Sequence, residues 1–181
     1  MKLIKSAAVF GVSVLLATAA IADGDRDDPI RAPGGKGFTK WGVAADWLVF
    51  VDKERHTCLI EKFDAAGNAV QIGLGRDGKR AYLGVFTKLP ESLREKGDKQ
   101  TVKVDVDGKV YTGRIKRAQR KQFAEYSGAY VPAKDMDFAA MTQKATQTMT
   151  FPDGAIEVNF DMTGAIEAVA AAKLCQAQQK S

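Results

Sequence analysis

The chain has 181 residues, of which 27% are charged and 8% aromatic, and 27 basic against 22 acidic side chains give it a formal net charge of +5. This is the composition of an ordinary soluble surface over a core, and so modest a positive excess gives no ground for a nucleic-acid partner.

In chain order, Lys2 and Lys5 precede the apolar run Ala7 to Leu16, which gives way to small residues ending Ala20-Ile21-Ala22. These are the charged, apolar and cleavage regions of a secretory signal peptide, predicted over residues 1–22. The polar run Asp23-Gly24-Asp25-Arg26-Asp27-Asp28 follows before a membrane span could be completed, so cleavage after Ala22 is expected and no transmembrane anchor would remain. Removal leaves 159 residues and lowers the net charge to about +3, because two lysines leave with the leader. The mature protein is expected in the periplasm or secreted, and export counts further against nucleic acid.

Residues 23–37 carry Pro29, Pro33, Gly34, Gly35 and Gly37 without apolar periodicity and read as a flexible lead-in. Residues 38–181 are expected to form a single β-rich domain. Strands are predicted over Trp41 to Ala44, Trp47 to Val51, Thr57 to Phe63, Ala69 to Leu74 and Arg80 to Thr87, joined by short turns that imply antiparallel neighbours. Thr101 to Val106 alternates strictly, meets Asp107-Gly108 and continues from Lys109 to Ile115, the strongest hairpin signal in the chain. A short helix is expected over Asp135 to Lys144, capped by Asp135 or Asp137, with Phe138 and Met141 inward. A last hairpin turns at Pro152-Asp153-Gly154. A final Ala-rich helix runs from near Thr163 to about Gln178, placing Ala168, Ala171, Ala172 and Cys175 on one stripe. The fold class expected is mainly β (α+β), an antiparallel β-sandwich or open barrel with a short helix and a C-terminal helix.

Cys58 and Cys175 are the only cysteines. In an oxidising compartment they are expected to pair, tying the last helix to the sheet; a dithiol redox site would need C-x-x-C spacing. His56, the only histidine, stands two residues before Cys58, so a strand that included it would put both side chains on one face. A zinc site would need further ligands that the sequence lacks, and a Cys-His nucleophile would need Cys58 free. Gly73-Leu74-Gly75-Arg76-Asp77-Gly78 satisfies G-x-G-x-x-G, yet a strand follows where a dinucleotide site requires a helix, so these are turn glycines. Asp23, Asp25 and Asp27 resemble the start of a calcium loop, but Asp28 stands where Gly is required and Gly34 where Glu is required. Glu54, Glu61, Glu157 and Glu167 are scattered, and no G-x-S-x-G is present. No catalytic, cofactor or metal residue is therefore assigned. Arg114, Lys116, Arg117, Arg120 and Lys121 form the densest cationic run; its plain reading is a solvated strand end, and its functional reading a surface for anionic lipid head groups, lipopolysaccharide or an acidic partner.

Trp41-Gly42-Val43-Ala44-Ala45-Asp46, then Thr57-Cys58-Leu59-Ile60, and again Thr163-Gly164-Ala165-Ile166-Glu167-Ala168 leading to Cys175, give a layout that resembles the invasion-associated locus B family of small exported bacterial proteins. The resemblance spans roughly Phe38 to Cys175. Family members commonly carry a cysteine shortly after W-x-V, where this chain has Ala45, which suits a Cys58 to Cys175 bond. The resemblance implies a periplasmic location and an envelope or host-contact role, and it transfers no active-site residue. The function expected is a non-enzymatic periplasmic binding or envelope-associated protein, whose partner is a protein or envelope component. The alternatives are an inhibitor or chaperone-like partner of an exported enzyme, and an envelope-acting hydrolase.

Overall fold

The computed structural model describes Pro29 and residues 37, 38–77, 81–88, 101–106, 109–117, 125–132, 138–150 and 157–179. The expected signal peptide, most of the lead-in with its acidic run, Arg120, Lys121, Asp135, Asp137 and the turn residues Asp107-Gly108 and Pro152-Asp153-Gly154 lie outside the described residues.

Ten strands and two helices are described: β1 (Phe38–Ala44), β2 (Trp47–Asp52), β3 (Thr57–Phe63), β4 (Ala69–Leu74), β5 (Ala81–Lys88), β6 (Thr101–Val106), β7 (Lys109–Arg117), β8 (Tyr126–Pro132), α1 (Phe138–Gln143), β9 (Thr146–Thr150), β10 (Glu157–Asp161) and α2 (Ala165–Gln178). The strand order is β1-β2-β3-β4-β5-β8-β7-β6-β9-β10, antiparallel at every described pairing. Six strands from β1 to β8 make the larger part and the remaining four continue it. With β1 and β10 as its edges, the sheet is not closed into a barrel.

Local chemistry sets each turn. Ala45 and Asp46 both adopt positive φ, 47° and 66°, the geometry that lets a two-residue loop follow the twist of its strands. Asp52 Oδ1 accepts the N–H groups of Glu54 and Arg55 at 3.1 Å each, which winds the chain between β2 and β3. Asp64 Oδ1 accepts the Asn68 N–H at 2.8 Å around Gly67, whose φ is 81°. The β6–β7 register pairs Val106 with Lys109, as the Asp-Gly signal required. Gly73 sits opposite Tyr82, whose ring occupies the space a Cβ would need.

The sheet curls far enough for its distant strands to meet. Lys62 Nζ of β3 donates to Asp161 Oδ2 of β10 at 2.8 Å, although these strands hold the third and tenth places. Inside the curl, Trp47, Val49, Ile60, Ile72, Leu83, Val85, Ala129, Val131, Val158 and Phe160 form one apolar core with Met141 of α1. Helix α2 lies against β1 to β4 and contributes Ala165, Ala168, Ala172 and Cys175 to that core. Ala171 is half-buried beside them, so the expected small-residue stripe is the packed face of the helix.

Every residue of β2 and β4 is buried, so their opposite faces are covered too. Leu48, Phe50 and Leu59 form a second apolar cluster there, and Ala69, Phe86 and Tyr126 a third. Strands buried on both faces lose the alternating pattern and read as continuous apolar runs.

Two details differ from the sequence expectation. Strand β8 had no counterpart in the sequence reading, which offered no element over Tyr126–Pro132; Gly128 and the terminal Pro132 weaken the strand signal. Gly128 is there because a Cβ would collide with the Val85 carbonyl of β5. His56 is not part of β3, which starts at Thr57; it closes the preceding turn with φ 54° and is exposed, so it does not share a strand face with Cys58.

Candidate functional site

The polar chemistry of the described residues gathers in three places. The first is the seam between α2 and the sheet. An Ala-rich helix without Pro forms readily, but small side chains give it little apolar area with which to hold a sheet. Both its ends are fixed by specific contacts instead. Cys58 of β3 and Cys175 of α2 are disulfide-bonded across 6.1 Å between Cα atoms, and both are buried. The next residue, Gln176, uses both ends of its amide: Oε1 accepts the Cys58 N–H and Nε2 donates to the His56 carbonyl, each at 2.9 Å. On the exposed side, Trp41 Nε1 donates to Gln178 Oε1 at 2.9 Å.

The start of α2 is pinned by the chain just before it. The fully buried Trp47 donates Nε1–H to the Thr163 carbonyl at 2.9 Å, and Lys62 Nζ donates to the same oxygen at 3.2 Å. Asp161 receives Lys62 and also accepts the Thr163 N–H at 2.9 Å. These hydrogen bonds, the one from Lys62 foremost, lower the Asp161 carboxyl to about 2. Gly164 then turns into the helix at φ 81°, where a Cβ would stand 2.6 Å from the Ala45 carbonyl oxygen.

The second place is a row across the opposite face of the sheet that is polar and buried at Glu61 and Gln71. Register aligns Leu48, Glu61, Gln71, Gly84, Tyr130, Arg114 and Thr101 across β2, β3, β4, β5, β8, β7 and β6. Glu61 and Gln71 have no solvent exposure; Gln71 Nε2 donates to Glu61 Oε2, and Tyr130 O–H donates to Gln71 Oε1 at 3.4 Å. The Tyr130 ring lies over Gly84 and meets Tyr82 and Phe86 edge to face, with centroids 5.2 and 5.5 Å away. Burial first and the Glu61 carboxylate second raise the Tyr82 phenol far above its usual range, so it stays neutral.

The third place is where the same face becomes exposed, across β7, β6, β9 and β10. Thr112, Thr101, Lys103, Thr150, Glu157 and Asn159 are exposed there. Thr148 Oγ1 donates to Asn159 Oδ1 at 2.6 Å. Of the cationic run singled out in the sequence, Arg114, Lys116 and Arg117 occupy β7, with Arg114 and Lys116 at strand positions that share a face with Thr112.

The structure thus joins Cys58 of β3 to Cys175 of α2, while Arg114, Lys116 and Arg117 belong to β7. Gln176, Trp47, Lys62 and the Glu61–Gln71 pair went unnoticed in the sequence. A signal existed for two of them: period two puts Lys62 on the face of Cys58 and Ile60, and Glu61 on the face of Leu59. Gln176 carries no such signal, since its partners lie 118 and 120 residues away. Of the glycine run, Gly73 and Leu74 belong to β4 and Gly78 lies outside the described residues; the next described element is strand β5, not a helix. Among the described residues no three His, Cys, Asp or Glu side chains are grouped to hold a metal, and no helix is long and apolar enough to cross a membrane. Compared with protein families, curated proteins and solved structures, the chain matches none.

Proposed function

We propose that the chain is an exported, non-enzymatic binding protein of the bacterial envelope, akin to the invasion-associated locus B proteins that it resembles. The observation that carries this reading is the structural use of Cys58. With His56 it was the nearest approach to a nucleophile and base in the sequence, yet its sulfur is bonded to Cys175, and His56 stands in the exposed turn before β3 rather than on the strand face of Cys58. A buried disulfide that fastens a helix to its sheet supports an oxidising compartment, in keeping with a leader over residues 1–22.

The test is the mass of protein recovered from cells lysed in a thiol-alkylating reagent. Chains that begin at Asp23 and take up label only after reduction support the reading. Free thiols in the recovered protein overturn it, and would return Cys58 to consideration as a nucleophile in an envelope-acting hydrolase.

A second reading, an inhibitor or chaperone-like partner of an exported enzyme, draws on edge strand β1, where Trp41 and Val43 are exposed. Edge strands offer unpaired N–H and C=O groups to a partner strand. Copurification of one exported enzyme in a fixed ratio, lost in Val43→Pro, would favour it over the first.

A further inference from the structure

We infer that the outward face of α2 is a contact between two copies of this chain, paired antiparallel about a two-fold axis at Ala170. This goes beyond the envelope reading and does not rest on it. The observation behind it is where α2 places its apolar side chains. Toward the sheet it buries Ala165, Ala168, Ala172 and Cys175, while its two largest apolar side chains, Ile166 and Leu174, are 53% and 64% exposed. Five large apolar side chains are exposed among the described residues, and three of them gather here, because Trp41 is held beside the last turn of α2 by its hydrogen bond to Gln178. Exposed apolar residues scattered singly are ordinary, whereas a helix that turns its smallest residues to the core and its largest to solvent has a second surface to cover.

Spacing and charge select a second copy as the occupant. Ile166 and Leu174 stand four residues before and after Ala170, and Glu167 and Lys173, the only charged residues of α2, stand three before and after it. All five are exposed. A two-fold axis across the helix at Ala170 carries each residue to the level of the one equally far on the other side, so Ile166 of one copy lies level with Leu174 of the other, and Glu167 with Lys173, each pair occurring twice. A parallel pair would set Glu167 level with Glu167 and Lys173 with Lys173, with the helix dipoles aligned; the antiparallel pair brings unlike charges together and opposes the dipoles. Four residues are also about 40° more than a full turn, so Ile166 and Leu174 flank Ala170 on either side around the helix. Between them the Ala170 methyl lets two helix axes approach to about 8 Å. The outer half of this 14-residue helix is about 21 Å long and about 10 Å across, an area on the order of 300 Å² per copy against about 800 Å² in a standard interface. Trp41 extends the patch beyond the last turn, level with the start of the second copy's helix, but the contact stays small and the dimer is therefore weak.

The experiment is sedimentation equilibrium of the mature, oxidised protein from micromolar to millimolar concentration. A monomer–dimer equilibrium with a Kd of roughly 10–100 μM is expected for an interface below standard size. Leu174→Lys alters an exposed side chain and should weaken association at least tenfold. Glu167→Lys or Lys173→Glu alone should weaken it several-fold, the two together should restore it to within twofold, and Lys109→Glu, an equal charge change on β7, should leave it within twofold. Mild oxidation reads the orientation: Ala170→Cys should cross-link to itself, whereas Ile166→Cys, whose two copies lie about 12 Å apart along the helix, should cross-link only when mixed with Leu174→Cys. Circular dichroism of each variant checks the fold, and Leu174→Lys carries the test if a cysteine variant fails it. A protein that stays monomeric throughout overturns the inference and leaves the face to an unlike partner. A dimer indifferent to Leu174→Lys, a charge exchange that does not restore it, equal weakening by Lys109→Glu, or Ile166→Cys cross-linking to itself would each overturn it as well.

Discussion

Reduction of the Cys58–Cys175 bond should cost this protein a large part of its stability, and the helix it anchors should be the first element released. The two cysteines are 117 residues apart, and the chain-entropy model assigns about 5 kcal/mol to a loop of that length, with measured values for native disulfides more often about 2–4 kcal/mol. The apolar hold of α2 is small by comparison. Its buried inner face offers Ala165, Ala168 and Ala172 besides Cys175, and three methyl groups at about 0.8 kcal/mol each contribute roughly 2 kcal/mol. Since whole domains are stable by only about 5–15 kcal/mol, the bond matters at the level of the fold. The assay is urea unfolding of one sequence with and without a dithiol reductant, together with amide exchange of α2 and β3 under native conditions. A loss of about 2–5 kcal/mol is expected, with residues 165–178 exchanging before β3 in the reduced form. A difference under about 1 kcal/mol, or equal protection of α2 and β3 after reduction, would refute the claim that the helix depends on its sulfur anchor.

Other perturbations separate the remaining contacts. Gln176→Ala in the oxidised protein strands the buried Cys58 N–H without its acceptor, so urea unfolding should report a loss of about 1–3 kcal/mol, and the Cys58 amide should exchange faster while the disulfide stays closed. The Asp161 carboxyl is lowered from 3.8 to about 2 in the fold, so its contribution is present above pH 4 and is lost as pH falls towards 2. Half exposure of Asp161 limits that contribution to under about 1 kcal/mol, and the stability gap between wild type and Asp161→Asn should close across that pH interval. Gly128→Ala places a methyl against the Val85 carbonyl, where backbone must move, and should cost about 3 kcal/mol or prevent folding in a thermal melt. Gly42→Ala, with open space around it, should change the melting temperature little.

What the sequence disclosed of this fold follows from where each strand lies. The β6–β7 hairpin was legible because Thr101 to Val106 alternates and Asp-Gly reverses it, both local signals. Strands β2 to β5 were legible as apolar runs between turns, and the unbroken run Trp47 to Val51 was the local sign of burial on both faces, although it does not say what covers Leu48 and Phe50. Strand β8 was illegible for a long-range reason. Its Gly128 weakens the local strand signal, yet the close approach of β5 requires a residue without a side chain there. Tyr82 over Gly73 and Tyr130 over Gly84 repeat the pattern, a glycine filled by its cross-strand aromatic, and only the pairing reveals it.

The same reasoning applies to the charged residues. A lysine at a core-facing strand position, as Lys62 is, implies a partner arriving from elsewhere, since burial of an unpaired ammonium is costly. Here the partner is the segment that leads into α2, and Asp161 and the Thr163 carbonyl both receive it. Trp47 converges on that carbonyl from β2. The distant edge of the sheet and the last helix are thus fastened at one point, while Cys175 and Gln176 fasten the helix's other end. With both ends fixed, small residues suffice between them.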